Sequence, residues 1–154
     1  MSKFADHAAV EPPPSAPRLW WETRTFALLL MLLSIVPLLY PQNAALVDLF
    51  GHIGRYRVQL DVASSAYLQR YYEYDWAPIG NLGVDGLVQL LGPIFGLETA
   101  VKLIIMLIPV LTVAGFLLVA REVHHRLPPT AIFSLLFVYN HPFLFGFLNF
   151  TLSM

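Results

Sequence analysis

The feature that most limits the possible folds is the apolar run ETAVKLIIMLIPVLTVAGFLLVA, which ends at Ala120. A helix crosses the hydrocarbon core of a bilayer with about 20 mostly apolar residues, and this run has that length. The rest of the chain suits the same environment, because 57% of the residues are hydrophobic and 12% are charged, whereas soluble domains carry roughly 25% charged residues. The sequence therefore predicts an all-α, polytopic helical membrane protein.

The apolar runs divide the chain into a leader and a membrane domain with about four transmembrane helices. Residues 1–24 are rich in proline and predict a disordered cytoplasmic leader. Residues 25–154 predict the membrane domain, which we expect to be the N-terminal part of a larger domain. The first apolar run has the length of a secretory signal, but the acidic, extended leader favours a retained anchor helix. The expected spans lie at about 25–41, 77–96, 99–120 and 130–153, with an external loop at 42–76.

Polar residues interrupt the second expected span. Asn81, Asp85 and Gln89 share this stretch with Pro93 and several glycines. Irregular backbone is tolerated at membrane depth only where protein or water covers it, so a re-entrant helix is the alternative to a complete crossing. We favour four complete spans, and the arginine and lysine counts of the two arrangements are too similar to decide between them.

The charge distribution predicts the orientation and the general class of partner. Lys3, Arg18 and Arg24 precede the first span, so the positive-inside rule places the N-terminus in the cytoplasm. The net charge of −1 offers no basic surface for nucleic acid. The absence of cysteine excludes disulfides and thiolate metal ligands. The expected partner is therefore the lipid bilayer, with no role for nucleic acid.

The stretch DLFGHIGRYRVQLD, which follows the first span, predicts an amphipathic interfacial helix. Asp48, His52, Arg55 and Gln59 fall within roughly 60° of one another when the residues advance by about 100° each. We expect His52 and Arg55 to hold the Asp48 carboxylate ionised through charge-assisted hydrogen bonds. The alternative is an ordinary solvated salt bridge, which would contribute under about 1 kcal/mol. Asp48 is the first candidate for a functional residue.

Three further charged residues are candidates for substrate binding. Arg57 and Arg70 suit a lipid phosphate, because the guanidinium fork matches phosphate oxygens, but they can equally extend to ordinary headgroups. Asp85 lies inside an expected span, where an ionisable residue indicates function. Its alternatives are a helix that begins later, leaving Asp85 near the interface, or neutral partners in Asn81 and Gln89.

Other polar and aromatic clusters have simpler interpretations. The stretch YYEYDW can stack on a sugar or a prenyl chain, but an interfacial aromatic belt explains it more readily. The stretch EVHHR lacks a third histidine or a cysteine at ligand spacing, so we predict no metal site there. Asn140, His141 and Asn149 fall in the last expected span, where such residues usually bridge helices.

Three motifs carry a resemblance to a known superfamily. The stretches DLFGHIGRY, YDWAPIGNL and NHPFLFGFLNFTL, together with an acid just outside the first span, resemble the N-terminal part of bacterial GT-C type glycosyltransferases. The resemblance covers about residues 26–154. It implies a multi-pass protein of the bacterial inner membrane that transfers a sugar from a polyprenyl-phosphate donor to an extracytoplasmic acceptor. It also implies further transmembrane helices, from the rest of the chain or from a partner.

The resemblance assigns roles to the residues of the polar stripe. Asp48 takes the position of the general base, Arg55 stabilises the departing phosphate, and His52 contacts sugar or phosphate. Many of these enzymes pair two acids in the first loop, whereas Leu49 and Phe50 follow Asp48 here, so no metal is assigned and no cofactor is expected. The rival interpretation is a non-catalytic membrane subunit or a transport-type module that uses Asp85.

Overall fold

The computed structural model describes residues 19–77 and 82–154, and within these ranges the chain is all-α. Helices make up 74% of the described residues, and no strand occurs among them. The prediction of an all-α fold is confirmed. Residues 1–18 of the expected leader, and Asn81, lie outside the described ranges. The α-helices are α1 (Arg24–Leu39), α2 (Leu49–Asp61), α3 (Ala66–Gln69), α4 (Gly83–Phe95), α5 (Leu97–His124), α6 (Ser134–Val138), α7 (His141–Phe145) and α8 (Leu148–Ser153), with 3₁₀ turns at Trp20–Glu22 and Pro129–Phe133.

Helix α5 is the central helix of the fold, and α1 packs antiparallel to it. At one end of the pair, the Lys102 ammonium donates to the carbonyl oxygens of Leu39 and Pro41, at 3.3 and 3.0 Å. At the other end, the Arg126 guanidinium binds the Glu22 carboxylate through two hydrogen bonds of 2.8 and 2.9 Å. These contacts join the end of α1 to the start of α5, and the start of α1 to the segment that follows α5.

Among the described helices, one is long and apolar enough to cross a membrane by length and composition. That helix is α5, with 28 residues and a length of about 42 Å at 1.5 Å per residue. Helices α1 and α4 have 16 and 13 residues, and so span only about 24 and 20 Å. The predicted four-span arrangement therefore stays a prediction, since three of its four spans have no helix of full length in the structure.

Helix α4 covers only the second part of the expected span 77–96. It begins at Gly83 and ends at Phe95, and Gly96, with φ of 81°, is the single-residue connection to α5. Val84 and Val88 of α4 are fully buried in the same apolar cluster as Ile104 of α5. Helix α4 thus packs along the first half of α5, and Asp85 lies in its first turn.

The segment 130–153, where the sequence predicts the last span, is not one continuous helix. The segment forms a 3₁₀ turn and three short helices instead. The side-chain oxygen of Asn140 accepts from the Phe143 N–H at 3.0 Å and caps α7, whose first turn contains Pro142. Gly146 ends α7 with φ of 88°. A cap, a proline and a left-handed residue each stop a helix, although the mean apolarity of the stretch is high.

Candidate functional site

The polar stripe of α2 is partly covered by other helices: Asp48 and Arg55 are exposed, and the other two members are not. Gln59 is buried, His52 is half-buried, and both lie on the side of α2 that meets α4 and α8. The opposite side includes Phe50, which is exposed. The predicted spacing of the stripe is therefore correct, and its interfacial location stays a prediction.

Arg55 forms an ion pair with Asp85, which the sequence analysis did not anticipate. The contact joins an Arg55 Nη atom to Asp85 Oδ1, and the two side chains are 47% and 0% exposed. Arg55 therefore pairs with an acid of another helix, and the predicted contact with Asp48 is replaced. The physical reason is that burial makes an unpaired Asp85 far more costly than an unpaired acid at the surface.

A glutamine pair extends this contact between α2 and α4. The Gln59 Nε2 group donates to the Asp85 backbone carbonyl at 2.9 Å and to Gln89 Oε1 at 3.1 Å. Gln89 therefore bonds to Gln59, and the alternative in which Gln89 bonds to the Asp85 carboxylate is not seen among the described residues. Within the described ranges, the Asp85 carboxylate has no hydrogen-bond partner beyond its ion pair with Arg55, and Gln59 Oε1 has none. The positive end of α4 and the guanidinium of Arg55 are thus the main favourable charges near Asp85.

Asp48 occupies the residue before the first turn of α2, and its side chain is exposed. Its backbone N–H donates to the Phe145 carbonyl at 3.1 Å, so the start of α2 rests on the end of α7. Gly146 makes this approach possible, because a Cβ atom there would lie 3.1 Å from the Asp48 nitrogen. None of the ion pairs among the described residues includes Asp48. Its carboxylate is therefore available to a ligand.

A large open cleft lies between α2 and the loop that follows it. Its volume is about 990 Å³. Two arginines line it, Arg55 and Arg57, and the Arg57 guanidinium also bonds to Asp61 at 2.9 Å. Arg70 is not among the lining residues, but its guanidinium carbon lies 5.6 Å from the centre of the ring of Tyr71, which is. The remaining lining combines aromatic rings with one acid and small or apolar residues: Gly54, Val58, Tyr67, Leu68, Tyr71, Tyr72, Glu73 and Tyr74.

A second, smaller cavity of about 280 Å³ lies between α2 and α8. His52, Arg55 and Asn149 supply its polar groups, and Phe147 and Phe150 are among its apolar walls. Arg55 therefore borders both cavities. Asn149 also accepts from the Val84 N–H at 2.7 Å, which caps the start of α4 from another helix. The predicted bridging role of Asn149 is confirmed, whereas Asn140 caps its own helix.

Tyr56 connects the stripe to the apolar core. Its side chain is fully buried, and its ring lies parallel to that of His52 with centroids 6.0 Å apart. Burial raises the pKa of Tyr56 to about 12, an effect that the nearby Arg55 charge opposes and Tyr74 reinforces. The hydroxyl lacks a hydrogen-bond partner among the described residues. Tyr56 therefore stays neutral at physiological pH.

The histidines of the EVHHR stretch do not form a metal site with other described residues. His124 and His125 are exposed at the end of α5, and His125 adopts a left-handed conformation with φ of 56°. No group of three His, Cys, Asp or Glu side chains in residues 19–77 and 82–154 could hold a metal ion.

Comparison of the chain with protein-family models, with curated proteins and with solved structures gave no match.

Proposed function

We propose that this chain is the N-terminal part of a membrane glycosyltransferase of the GT-C type, which transfers a sugar from a polyprenyl-phosphate donor to an extracytoplasmic acceptor. The observation that carries the proposal is the cleft of about 990 Å³, in which Arg55 and Arg57 stand opposite several tyrosine rings. Guanidinium groups suit a phosphate, and aromatic rings suit the face of a sugar or a prenyl chain. A polyprenyl-phosphate sugar contains a phosphate, a sugar and a prenyl chain, so it matches both kinds of side chain in the cleft.

The proposed membrane arrangement has the cleft outside the inner membrane of a bacterium and the N-terminus in the cytoplasm. Helix α5 crosses the bilayer, and α1 and the segment 129–154 run beside it. The pairing of Glu22 with Arg126 supports an antiparallel return of α5 to the side of the N-terminus. Helix α4, with 13 residues, is then re-entrant. Further helices from the rest of the domain or from a partner would cover the exposed apolar faces.

In the proposed reaction, Asp48 accepts the proton of the acceptor hydroxyl, and the arginines of α2 bind the departing phosphate. The acceptor hydroxyl oxygen bonds to the anomeric carbon, and its proton passes to the Asp48 carboxylate as the bond between that carbon and the phosphate oxygen breaks. Arg55 and Arg57 stabilise the charge on the departing phosphate. Asp48 and Arg55 are seven residues apart, or about 10 Å along the helix, which leaves space for a sugar ring between base and phosphate.

Photo-crosslinking tests the proposed donor site. A diazirine-bearing polyprenyl-phosphate sugar should crosslink to the segment 67–74 in native membranes, and polyprenol without phosphate should not compete. Arg57→Gln should reduce crosslinking, because the lost guanidinium contacts the phosphate. Its partner Asp61 is at the surface, so the substitution should affect stability by under about 1 kcal/mol. Arg121→Gln, at the far end of α5, is the matched control. Equal competition by polyprenol, or equal crosslinking in Arg57→Gln, would refute a phosphate-specific site.

A transport-type module is the second candidate, and the burial of Asp85 favours it. An acid that is 0% exposed and paired with an arginine at the start of a short helix is a feature of ion-coupled sites. The two candidates differ in the acid that they require. Loss of sugar transfer in the full-length protein with Asp48→Asn supports the enzyme, and loss of ion-dependent uptake with Asp85→Asn supports transport.

A further inference from the structure

Arg55 connects a buried carboxylate with two cavities that are open to ligands. Its guanidinium pairs with Asp85, yet its side chain is 47% exposed and lines both the large cleft and the smaller cavity. Apart from Arg55, the described residues supply no hydrogen-bond donor to the Asp85 carboxylate. The carboxylate thus occupies the position at Arg55 that an external oxyanion would take, since carboxylates and phosphates bind the same guanidinium edge.

We propose that Asp85 is a built-in competitor for the oxyanion that binds Arg55, and that the oxyanion binds together with one proton. When an oxyanion takes the guanidinium, the Asp85 carboxylate loses its cation and accepts a proton on one oxygen. One anion and one proton are then bound together, and the apparent affinity for the anion rises as the pH falls. The identity of the oxyanion as the phosphate of a lipid carrier rests on the proposed function.

Protonation is expected because, among the described residues of the elements packed against α4, no lysine or arginine other than Arg55 faces Asp85. Helix α2 presents Arg55 and, on the smaller cavity, His52. Helix α8 presents the neutral Asn149, and the α5 residues in the shared cluster are apolar. Lys102 of α5 is held by carbonyl oxygens at the end of α1. A charged carboxylate without a partner in such a site is far less stable than its protonated form.

Calorimetric titration with sulfate tests the coupling without depending on the lipid donor. Sulfate is an oxyanion with no titrating proton near neutral pH, so any proton taken up belongs to the protein. The full chain in phosphatidylcholine nanodiscs is titrated at constant ionic strength in two buffers with different ionisation enthalpies. We expect uptake approaching about one proton per sulfate bound near pH 7. Binding without proton uptake by the wild-type protein, or no binding of sulfate, overturns the proposal.

Substitutions assign the proton and the anion to the two members of the pair. Asp85→Asn should abolish proton uptake and tighten sulfate binding by about tenfold or more, because sulfate no longer has to displace a carboxylate from the guanidinium and the binding-competent fraction rises. His52→Gln should keep the uptake, and Arg55→Gln should lose binding. Arg121→Gln should behave as wild type. Uptake that is lost in His52→Gln but kept in Asp85→Asn would contradict the assignment.

The sulfate titration tests the competition at Arg55 and the crosslinking experiment tests the proposed function, so either result can be negative while the other is positive. Proton-coupled sulfate binding without donor crosslinking would remove the glycosyltransferase and leave the competition at Arg55. Donor crosslinking with sulfate binding that takes up no proton would retain the donor site and refute the role of Asp85.

Discussion

Replacing Arg55 with glutamine should destabilise the fold much more than replacing Asp85 with asparagine. Without Arg55, a carboxylate that is 0% exposed keeps no cation, and removing one partner of a buried pair costs about 3 kcal/mol or more. Without the Asp85 charge, the guanidinium of Arg55 remains, but its side chain is 47% exposed and regains hydration, so the cost should be about 1 kcal/mol.

A double-mutant cycle measures this asymmetry. The Arg55→Gln and Asp85→Asn double variant should recover most of the loss and lie within about 1 kcal/mol of the Asp85→Asn variant, because no uncompensated charge is left. The free energy of unfolding is measured in detergent micelles by chemical denaturation, with circular dichroism as the signal. Equal losses in the two single variants, or a double variant whose loss equals their sum, would refute a buried and energetically coupled pair.

Further predictions concern the contacts that hold the site in place. Gly146→Ala should destabilise by about 1–2 kcal/mol, because alanine disfavours a left-handed conformation, whereas Gly115→Ala, with open space at its Cβ position, should not destabilise. Asn149→Ala should cost about 1 kcal/mol through loss of the cap on α4, measured by the same unfolding assay. Burial raises the pKa of Tyr56 from 10.0 to about 12, so its stabilising contribution is complete below about pH 10 and is lost as the pH rises further. Tyr56→Phe should lack this alkaline loss of stability.

The periodicity of the sequence predicted the polar stripe but not its partner. Arg55 and Gln59 are one turn apart on α2, and both reach Asp85, as residues of a common helical face should. The sequence offered Asp48 as the partner of Arg55, with His52 beside it, because the three share one helical face. Spacing within a helix carries no information about the helix that packs against it, so the actual partner, 30 residues after Arg55, could be identified only in three dimensions.

The broken last segment shows a different limit of sequence patterns. Its high apolarity predicted a continuous span, yet Asn140, Pro142 and Gly146 stop the helices within it. These three signals are visible in the sequence, but mean apolarity does not register them. Local capping and backbone conformation decided the structure here, and apolarity decided only that the segment packs against α5.

Polar residues within apolar stretches indicated where the site lies, although the sequence did not predict their exact contacts. Asn149 was expected to bridge helices, and it does so by capping α4. Asp85 was a candidate because an acid in an apolar stretch needs compensation. The sequence could not supply the geometry, in which Arg55 satisfies Asp85 and also borders two cavities. That geometry is the basis of both proposals.

Cysteine accessibility in intact cells tests the membrane arrangement most directly. The chain contains no cysteine, so Ser64→Cys and His125→Cys each introduce a single reactive site, and both positions are exposed in the structure. An impermeant maleimide should label Ser64→Cys, and His125→Cys should react only after the membrane is permeabilised. Labelling of both positions in intact cells would contradict the antiparallel return of α5. Labelling of His125→Cys alone would put the cleft in the cytoplasm and exclude the proposed extracytoplasmic reaction.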